Sequence, residues 1–270
     1  MASQFRLMPS NPQLFTAEVR RSARLSESFQ RVTVAGPELL QFPDRGFDQW
    51  FRLFLPPRPE AALVLPGVKG RAWYRSYLMI PKGRRPTCSN YTVAGYRRVG
   101  DQAELDIDVV LHWDQAGQPG GAVARWATTA QPGAPLGLLE QGLLFDPPPD
   151  AAGLVLVADQ TGLPAVRGIL RSLAPSAVGS ALIEVPSPDD IGQLEGPEGI
   201  AQTWITPAPP DAAPGATALA HLRAGPAPQA GAYAFVAGES ALAAGARRHL
   251  HQAGLAKSRI TFTGFWKRSH

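Results

Sequence analysis

The feature that most constrains the fold is a change of hydrophobic pattern at a proline-rich stretch, DPPPD, at positions 146–150. Before it, apolar and polar residues alternate in short runs, which is typical of strands with one buried face. After it, near-continuous apolar runs such as GLVLVAD alternate with amphipathic segments such as LPAVRGILRSL. That second pattern predicts a parallel sheet covered by helices on both faces. Because a proline run acts as a semi-rigid spacer, we predict two domains, residues 1–146 and 151–270.

The first domain is predicted to be a small antiparallel barrel with one helix. Its clearest strands are LFTAEVRRSARLS, FQRVTVAG, FDQWFRLFLP and ELDIDVVLHW, and a last strand runs from Pro135 to Glu140. The segment AWYRSYLMIP fits a helix or a strand equally well. Asp106 and Asp108 alternate with apolar residues, so they are expected on one solvated face of their strand.

Composition limits the kinds of partner. The 270 residues are 44% apolar and 18% charged, so the chain can build folded cores. The net charge of +4 comes without a long Lys or Arg run, which favours a small anionic ligand over nucleic acid. Cys88 is the single cysteine, and His249, His251 and His270 lack metal-ligand spacing. With no apolar span of membrane length, we expect a soluble cytoplasmic protein without a metal site, of undetermined oligomeric state.

A glycine-led helix start follows the strands of the first domain. Gly120 and Gly121 precede a segment whose apolar residues have helical spacing until Pro132. Main-chain N–H groups and the positive end of the helix dipole would face an anion there. His112, at the end of the preceding strand, has the chemistry to donate to a phosphate or a flavin oxygen. The alternative interpretation is an ordinary turn and a solvated histidine.

In the second domain, two strand ends carry polar residues. Asp159 and Thr161 follow the first strand, and Gly238 and Glu239 follow the strand AYAFVAG. Ligands of open parallel sheets bind at the carboxyl ends of strands, so the two ends together predict a nucleotide cleft. The alternative is ordinary helix capping, by Asp159 or Thr161 at one end and by Ser240 at the other. The chain lacks a GxGxxG fingerprint.

Cations near the C-terminus are the candidates for an anion-binding wall. They are Arg247, Arg248 and Lys267, with Arg268 beside them. The alternative is that they are solvated surface residues.

Several ordered motifs together resemble one family. They are NYTVAGYR, ELDIDVVLHW, GGAVARWA, LVADQTGLPAVRGIL, YAFVAGES with ARRHL, and ITFTGFWKR. The chain resembles the siderophore-interacting proteins, which are flavin-containing ferric-siderophore reductases of the ferredoxin–NADP reductase superfamily. The resemblance implies an N-terminal FAD-binding barrel and a C-terminal NAD(P)H-binding α/β domain.

The resemblance also implies roles for particular residues. Tyr91 and Thr92 would contact the isoalloxazine and ribityl parts of FAD. The residues that would contact its phosphates are His112, Gly121, Ala122, Val123, Ala124 and Trp126. NAD(P)H would lie against Asp159, Thr161, Gly238 and Glu239. The ferric chelate would be attracted by Arg247, Arg248 and Lys267.

The chain departs from the family pattern at the flavin motif. Ser89 and Ala94 stand where the family has the two arginines of Arg-x-Tyr-Thr-x-Arg. Gln160 stands where the family has Glu. At the start of the helix, Ala122 and Ala124 stand where the family usually has Pro and Ser. Neither Ser nor Ala can form the bidentate fork that arginine makes with a pyrophosphate. The neighbouring cations with the chemistry to replace the lost pair are Arg84, Arg85, Arg97 and Arg98.

The leading functional prediction is an FAD-dependent, NAD(P)H-using reductase of ferric siderophores or a similar acceptor. NAD(P)H gives up two electrons as a hydride, whereas Fe(III) accepts one, and a flavin can do both. The alternative is a flavin-independent biosynthetic cyclase or isomerase whose emptied flavin cleft is a substrate pocket, with Trp73, Tyr74, Tyr77 and Trp126 as walls. A third possibility is a non-catalytic siderophore-binding protein.

Overall fold

The structure is a computed structural model, and it describes residues 7–68, 70–113, 116–209 and 212–268. These residues form two compact units. One comprises 7–45 and 49–143, and the other comprises 46–48 and 144–268. The main division lies between residues 143 and 144, just before the proline-rich stretch at 146–150.

The first unit contains a seven-stranded antiparallel sheet and two helices. Its elements are β1 (Leu14–Arg24), β2 (Phe29–Gly36), β3 (Trp50–Leu55), α1 (Trp73–Met79), β4 (Thr87–Thr92), β5 (Gly95–Val99), β6 (Gln102–Val110), α2 (Ala122–Thr129) and β7 (Pro135–Gly142).

The order of the strands makes this sheet curl into a barrel. The order is β4-β3-β7-β1-β2-β6-β5, so β4 and β5 are the two edges. Only Val93 and Ala94 separate these edges along the chain, and we call these two residues the barrel seam. The Val93 N–H donates to Gln49 O at 2.8 Å, and the Ala94 N–H donates to Asp106 O at 2.9 Å. The predicted antiparallel barrel is confirmed.

Alternation along the strands fills the barrel. Phe51 and Leu53 on β3 and Leu105 and Ile107 on β6 are fully buried, and each such side chain contributes roughly 1.5–3 kcal/mol. The undecided segment AWYRSYLM is helical as α1, because Trp73 packs edge-on against Phe54 with ring centroids 5.9 Å apart.

The expectation that Asp106 and Asp108 are solvated is wrong. Both are buried, at 6% and 4% exposure. The Arg31 guanidinium donates to both oxygens of Asp108, at 2.7 and 2.9 Å. Asp106 accepts from Thr33 Oγ1 at 2.6 Å and from Arg97 at 2.7 Å. These partners replace the water that the carboxylates lose.

The second unit contains a five-stranded parallel sheet. Its elements are β8 (Leu154–Ala158), α3 (Leu163–Ser172), β9 (Gly179–Glu184), β10 (Ile200–Ile205), α4 (Ala216–Ala224), β11 (Tyr233–Glu239), α5 (Ser240–Gln252) and β12 (Ile260–Trp266). The strand order is β10-β9-β8-β11-β12. The order reverses between β8 and β11, which makes the carboxyl ends of these two strands the switch point where α/β sheets bind ligands.

The central strands are apolar along their whole length because both faces of the sheet are covered. Tyr233, Phe235 and Val236 on β11 are almost fully buried, as are Leu156 and Val157 on β8. Among the helices that the structure describes, none is long and apolar enough to cross a membrane.

Candidate functional site

Tyr91 and Thr92 end β4 immediately before the barrel seam. They pair with Phe51 and Trp50 of β3. The Tyr91 side chain is partly buried and packs against the barrel core, and burial raises the pKa of its hydroxyl above the usual value. At neutral pH Tyr91 is therefore a neutral hydroxyl, able to donate or accept a hydrogen bond.

The glycine-led helix start lies close to this strand end. Gly121 is the N-cap residue of α2 with φ 85°, and within the described chain no side chain caps it. The Gly120 N–H donates to His112 O at 2.6 Å, which brings the end of β6 to the start of α2. Val123 of α2 belongs to the apolar cluster against which Tyr91 packs. The first-turn N–H groups of α2 have no intrahelical partner, so they are suited to an anion.

The four cations named as replacements for the missing arginines are Arg84, Arg85, Arg97 and Arg98. Ser89 lies on β4, and Ala94 is 1% exposed in the barrel seam. Arg97 pairs with the carboxylates of Glu104 and Asp106. Arg85 and Arg98 donate to the main-chain oxygens of Ile80 and Leu40, respectively. Arg84 is exposed. Three of the four neighbouring cations are thus already engaged within the barrel.

The donor set fits FAD in one respect and departs from the family in another. Gly121 leaves open space at the start of α2. It has a positive φ, and a Cβ added to it would meet nothing within 4 Å among the described residues. Main-chain amides, His112, Tyr91 and Thr92 suit an anionic, hydroxyl-rich cofactor. The residues therefore fit a flavin held chiefly through amides and hydroxyls, with no guanidinium at positions 89 and 94.

At the switch point of the second unit, Asp159 is fully buried and its carboxylate joins two strands. Oδ1 accepts from Thr161 N at 2.8 Å and from Thr161 Oγ1 at 2.6 Å, and Oδ2 accepts from Glu239 N at 2.6 Å. Burial raises the pKa of Asp159, and these donors oppose the rise. The structure thus brings Asp159, Thr161 and Glu239 together at the carboxyl edge of the sheet.

Gly238 is needed at this point because a side chain would collide with Asp159. A Cβ at Gly238 would lie 2.7 Å from Asp159 Cγ. Glu239 is the N-cap residue of α5, and its carboxylate accepts from Ala241 N. The expected cap, Ser240, instead donates through Oγ to Trp266 O at 2.7 Å. The prediction that Ser240 caps α5 is therefore wrong, because the longer glutamate reaches the first turn.

Glu184 is a residue of this edge that sequence reasoning missed. It ends β9, is 1% exposed, and accepts from Gly215 N at 2.6 Å and from Ala218 N at 2.7 Å. Burial raises the pKa of its carboxylate. The available signal was a lone acid closing an apolar strand, SALIE.

The C-terminal cations lie on two elements. The Arg247 guanidinium, on α5, lies 4.8 Å from the centroid of the ring of Phe262, a residue of β12. Arg248 is exposed on α5. Lys267 is exposed directly after the carboxyl end of β12. Of the three, Lys267 has the position of a charge that a ligand at the carboxyl edge would meet.

The aromatic residues assigned to a pocket wall pack within the first unit. Trp73 is 7% exposed, and the Arg52 guanidinium lies 4.8 Å from its ring centroid. The Tyr77 hydroxyl donates to Pro86 O at 3.1 Å. Trp126 packs against the barrel core. All three stabilise the barrel.

Comparison with known proteins identifies the family. Residues 18–143 match the siderophore-interacting FAD-binding domain, and residues 151–269 match the siderophore-interacting protein model. The ferric vibriobactin reductase ViuB of Vibrio cholerae is 31% identical over 255 residues, covering 92% of this chain and 87% of that protein. The chain belongs to the siderophore-interacting protein family.

Solved structures agree with the family assignment. A siderophore utilization protein from T. fusca superposes with a TM-score of 0.78 at 28% identity, covering 97% of this chain and 95% of that one. The siderophore-interacting protein SipS from Aeromonas hydrophila gives 0.73 at 25% identity, covering 96% and 100%. The predicted resemblance and fold class are confirmed, and the family is one of FAD-binding oxidoreductases.

Proposed function

We propose that this protein reduces ferric siderophores, or a similar ferric chelate, with electrons from NAD(P)H by way of FAD. The observation that carries the proposal is that β4, which ends with Tyr91 and Thr92, contacts α2, whose N-cap Gly121 has no side-chain cap within the described chain. Two relatives support it by name. One is ViuB, and the other is the NADPH-dependent ferric-chelate reductase of Escherichia coli, 36% identical over 172 residues that cover 62% of this chain and 61% of that protein.

In the first unit, the residues of this chain bind and orient the cofactor. The amides from Gly121 to Ala124 bind its phosphates, with His112 beside them. Tyr91 and Thr92 contact the isoalloxazine and ribityl parts. Because Tyr91 stays protonated at neutral pH, its hydroxyl remains a hydrogen-bond donor. The bound flavin supplies the exchange between a two-electron hydride donor and a one-electron acceptor.

In the second unit, the switch point between β8 and β11 binds the nicotinamide nucleotide. Asp159 fixes the two strand ends, and Thr161 and Gly238 line the edge. Gly238 leaves the room that the Asp159 carboxylate occupies, because it carries no side chain. Glu239 sets the start of α5.

The exposed cations attract the acceptor. Lys267 and Arg248 add positive potential for an anionic ferric chelate, and Arg247 contributes charge while its stem packs on Phe262. Fe(II) that leaves the chelate after reduction is a free cation, and these side chains would repel it.

The flavin-independent alternative has no support. The FAD-binding family model spans residues 18–143, and Trp73, which that alternative assigned to a pocket wall, packs against Phe54.

The test is an absorption spectrum of the purified protein followed by an FAD titration and an assay of ferric-chelate reduction with NADH or NADPH. The expected result is flavin absorption bands at about 380 and 450 nm, or a dissociation constant for FAD of about micromolar. In either case we also expect catalytic reduction of the ferric chelate. A colourless protein that does not bind FAD at high concentration contradicts the proposal.

A further inference from the structure

We propose that the nucleotide site selects NADH over NADPH, because the strand end that would meet the adenosine ribose offers carboxylates and no cation to a 2′-phosphate. The proposal rests on the proposed function and specifies its reductant. It separates this chain from the Escherichia coli relative, whose name specifies NADPH.

The relevant strand end is that of β9. In dinucleotide-binding α/β sheets the pyrophosphate lies at the first strand's turn, and the ribose of the adenosine lies beside the end of the second strand. Here β8 is the first strand and β9 the second, and they are neighbours in the sheet. NADP enzymes of this type hold the 2′-phosphate with an arginine at that end, whereas NAD enzymes present an acidic side chain.

The chain around this end contains no basic side chain other than histidine. No Lys or Arg occurs from Ser172 to Leu222, a segment that includes all of β9 and β10. Acidic residues lie at this end instead: Glu184 ends β9, and Asp189 and Asp190 follow in the turn after it. A 2′-phosphate at this place would meet repulsion without a guanidinium or ammonium partner.

Several main-chain N–H groups near the end of β9 already donate hydrogen bonds within the chain. Glu184 occupies the amides of Gly215 and Ala218 at the start of α4. In the turn after β9, Ser187 N donates to Asp190 Oδ2 at 3.2 Å, and Asp189 N donates to Ser187 Oγ at 3.3 Å. This reciprocal capping box fills the turn with the chain's own carboxylate. The amides that would bind a phosphate without help from a cation are therefore already satisfied.

The cations of the carboxyl edge lie on the far side of the sheet. Lys267 and Arg268 follow β12, which is three strands from β9, or about 14 Å at the usual strand spacing. The helix α3 begins at this edge and runs away from it. Arg167 and Arg171 lie a turn or more after its first residue, and therefore away from the edge. Charge along the edge is therefore polarised, with acids after β8 and β9 and bases after β12.

Binding of two redox-inactive fragments to the full-length protein tests the proposal without turnover. Calorimetric titration with ADP-ribose and with 2′-phospho-ADP-ribose is expected to give affinity at least about tenfold higher for ADP-ribose. Equal affinities, or tighter binding of the 2′-phosphate, would overturn the selectivity and leave the reductase proposal intact. If neither fragment binds, the proposal that this unit binds a nicotinamide nucleotide is overturned, and the proposed selectivity is overturned with it.

A charge reversal localises the effect. Asp189 is exposed in the turn after β9, at the carboxyl edge. Asp189→Arg is expected to raise the affinity for 2′-phospho-ADP-ribose about tenfold with little change for ADP-ribose. The matched control is Glu198→Arg, the same charge change at an exposed position before β10, at the amino edge. An unchanged ratio in Asp189→Arg, or an equal shift in Glu198→Arg, would overturn the assignment to the end of β9.

Discussion

The Oδ2 atom of Asp159 accepts the main-chain N–H of Glu239 at 2.6 Å, and this bond joins the carboxyl ends of β8 and β11. The two residues are 80 positions apart in the chain, and they lie where the strand order reverses. The same carboxylate also holds the turn at Thr161. One buried side chain thus sets the shape of the edge that we assign to the nicotinamide nucleotide.

Replacing Asp159 by Asn is expected to destabilise the second unit. The amide NH₂ group would face either Glu239 N–H or the Thr161 donors, leaving a buried donor without an acceptor. Such a loss costs about 1–3 kcal/mol. Hydrogen exchange of the β11 amides measures it, with the exposed Glu195→Gln as control. A change within about 0.5 kcal/mol, as for surface substitutions, would contradict the structural role.

Asp48 is expected to make stability depend on pH. Its buried carboxylate accepts from Leu144 N and Phe145 N, each at 3.0 Å, and burial raises its pKa from 3.8 to about 6. Because the folded-state pKa lies above the unfolded one, Asp48 contributes stability below about pH 4 that is lost as the pH rises through 6. The difference is about 3 kcal/mol at most.

The Asp48→Asn variant isolates this effect, because its amide cannot become charged. Its NH₂ group would face one of the two N–H donors, but that cost does not change with pH. Urea unfolding at several pH values is expected to show the wild type losing stability relative to Asp48→Asn between about pH 4 and 6. The exposed Asp44→Asn serves as control. A pH-independent difference between wild type and Asp48→Asn would refute the titration.

Restoring an arginine at position 89 is expected to tighten FAD binding. Ser89 is only partly buried, so a longer side chain can be placed there, and one charge-assisted hydrogen bond of about 1.5–3 kcal/mol corresponds to about 10- to 150-fold in affinity. Flavin fluorescence quenching measures the dissociation constant of Ser89→Arg. The control, Thr87→Arg, adds the same charge two residues earlier on the same strand face. Equal effects of the two variants would show that only net charge matters.

A carboxylate at Gly121 is expected to weaken FAD binding by about tenfold or more, since it would cap α2 and repel the pyrophosphate. Gly100 offers a matched control, because it also has positive φ (61°) and, like Gly121, an added Cβ there meets nothing within 4 Å among the described residues. Gly100→Asp therefore shows the effect of the same added charge at another positive-φ glycine, away from α2. If both retain wild-type FAD affinity, the start of α2 does not hold the cofactor.

Removing the charge of Lys267 is expected to raise KM for an anionic ferric chelate about threefold to tenfold with little change in kcat, and most strongly at low salt. Lys257→Gln removes the same charge at an exposed position just before β12, at the opposite edge of the sheet. Steady-state kinetics at two ionic strengths compare the variants. Indistinguishable KM values for Lys267→Gln and Lys257→Gln would remove Lys267 from the acceptor site.

Local pattern was sufficient for most elements. The runs GLVLVAD and AYAFVAG were predicted as buried strands and are β8 and β11, and the segment after Gly121 was predicted as a helix and is α2. These signals arise from neighbouring residues, which share one face of a strand or helix. The segment AWYRSYLM stayed undecided because its aromatic residues suit both states, and packing of Trp73 on Phe54 decided it.

The sequence by itself determined the fold class, the family and the loss of two arginines from the flavin motif, because each of these is a property of residue order. Only the tertiary structure decided that Asp106 and Asp108 are buried, that Arg97 is not available to a pyrophosphate, and that Glu184 caps α4. These outcomes depend on partners far away in the chain, such as Arg31 and Asp108, 77 positions apart. A charged residue looks the same in a sequence whether its partner is water, a ligand or a distant side chain, and only folding chooses among them.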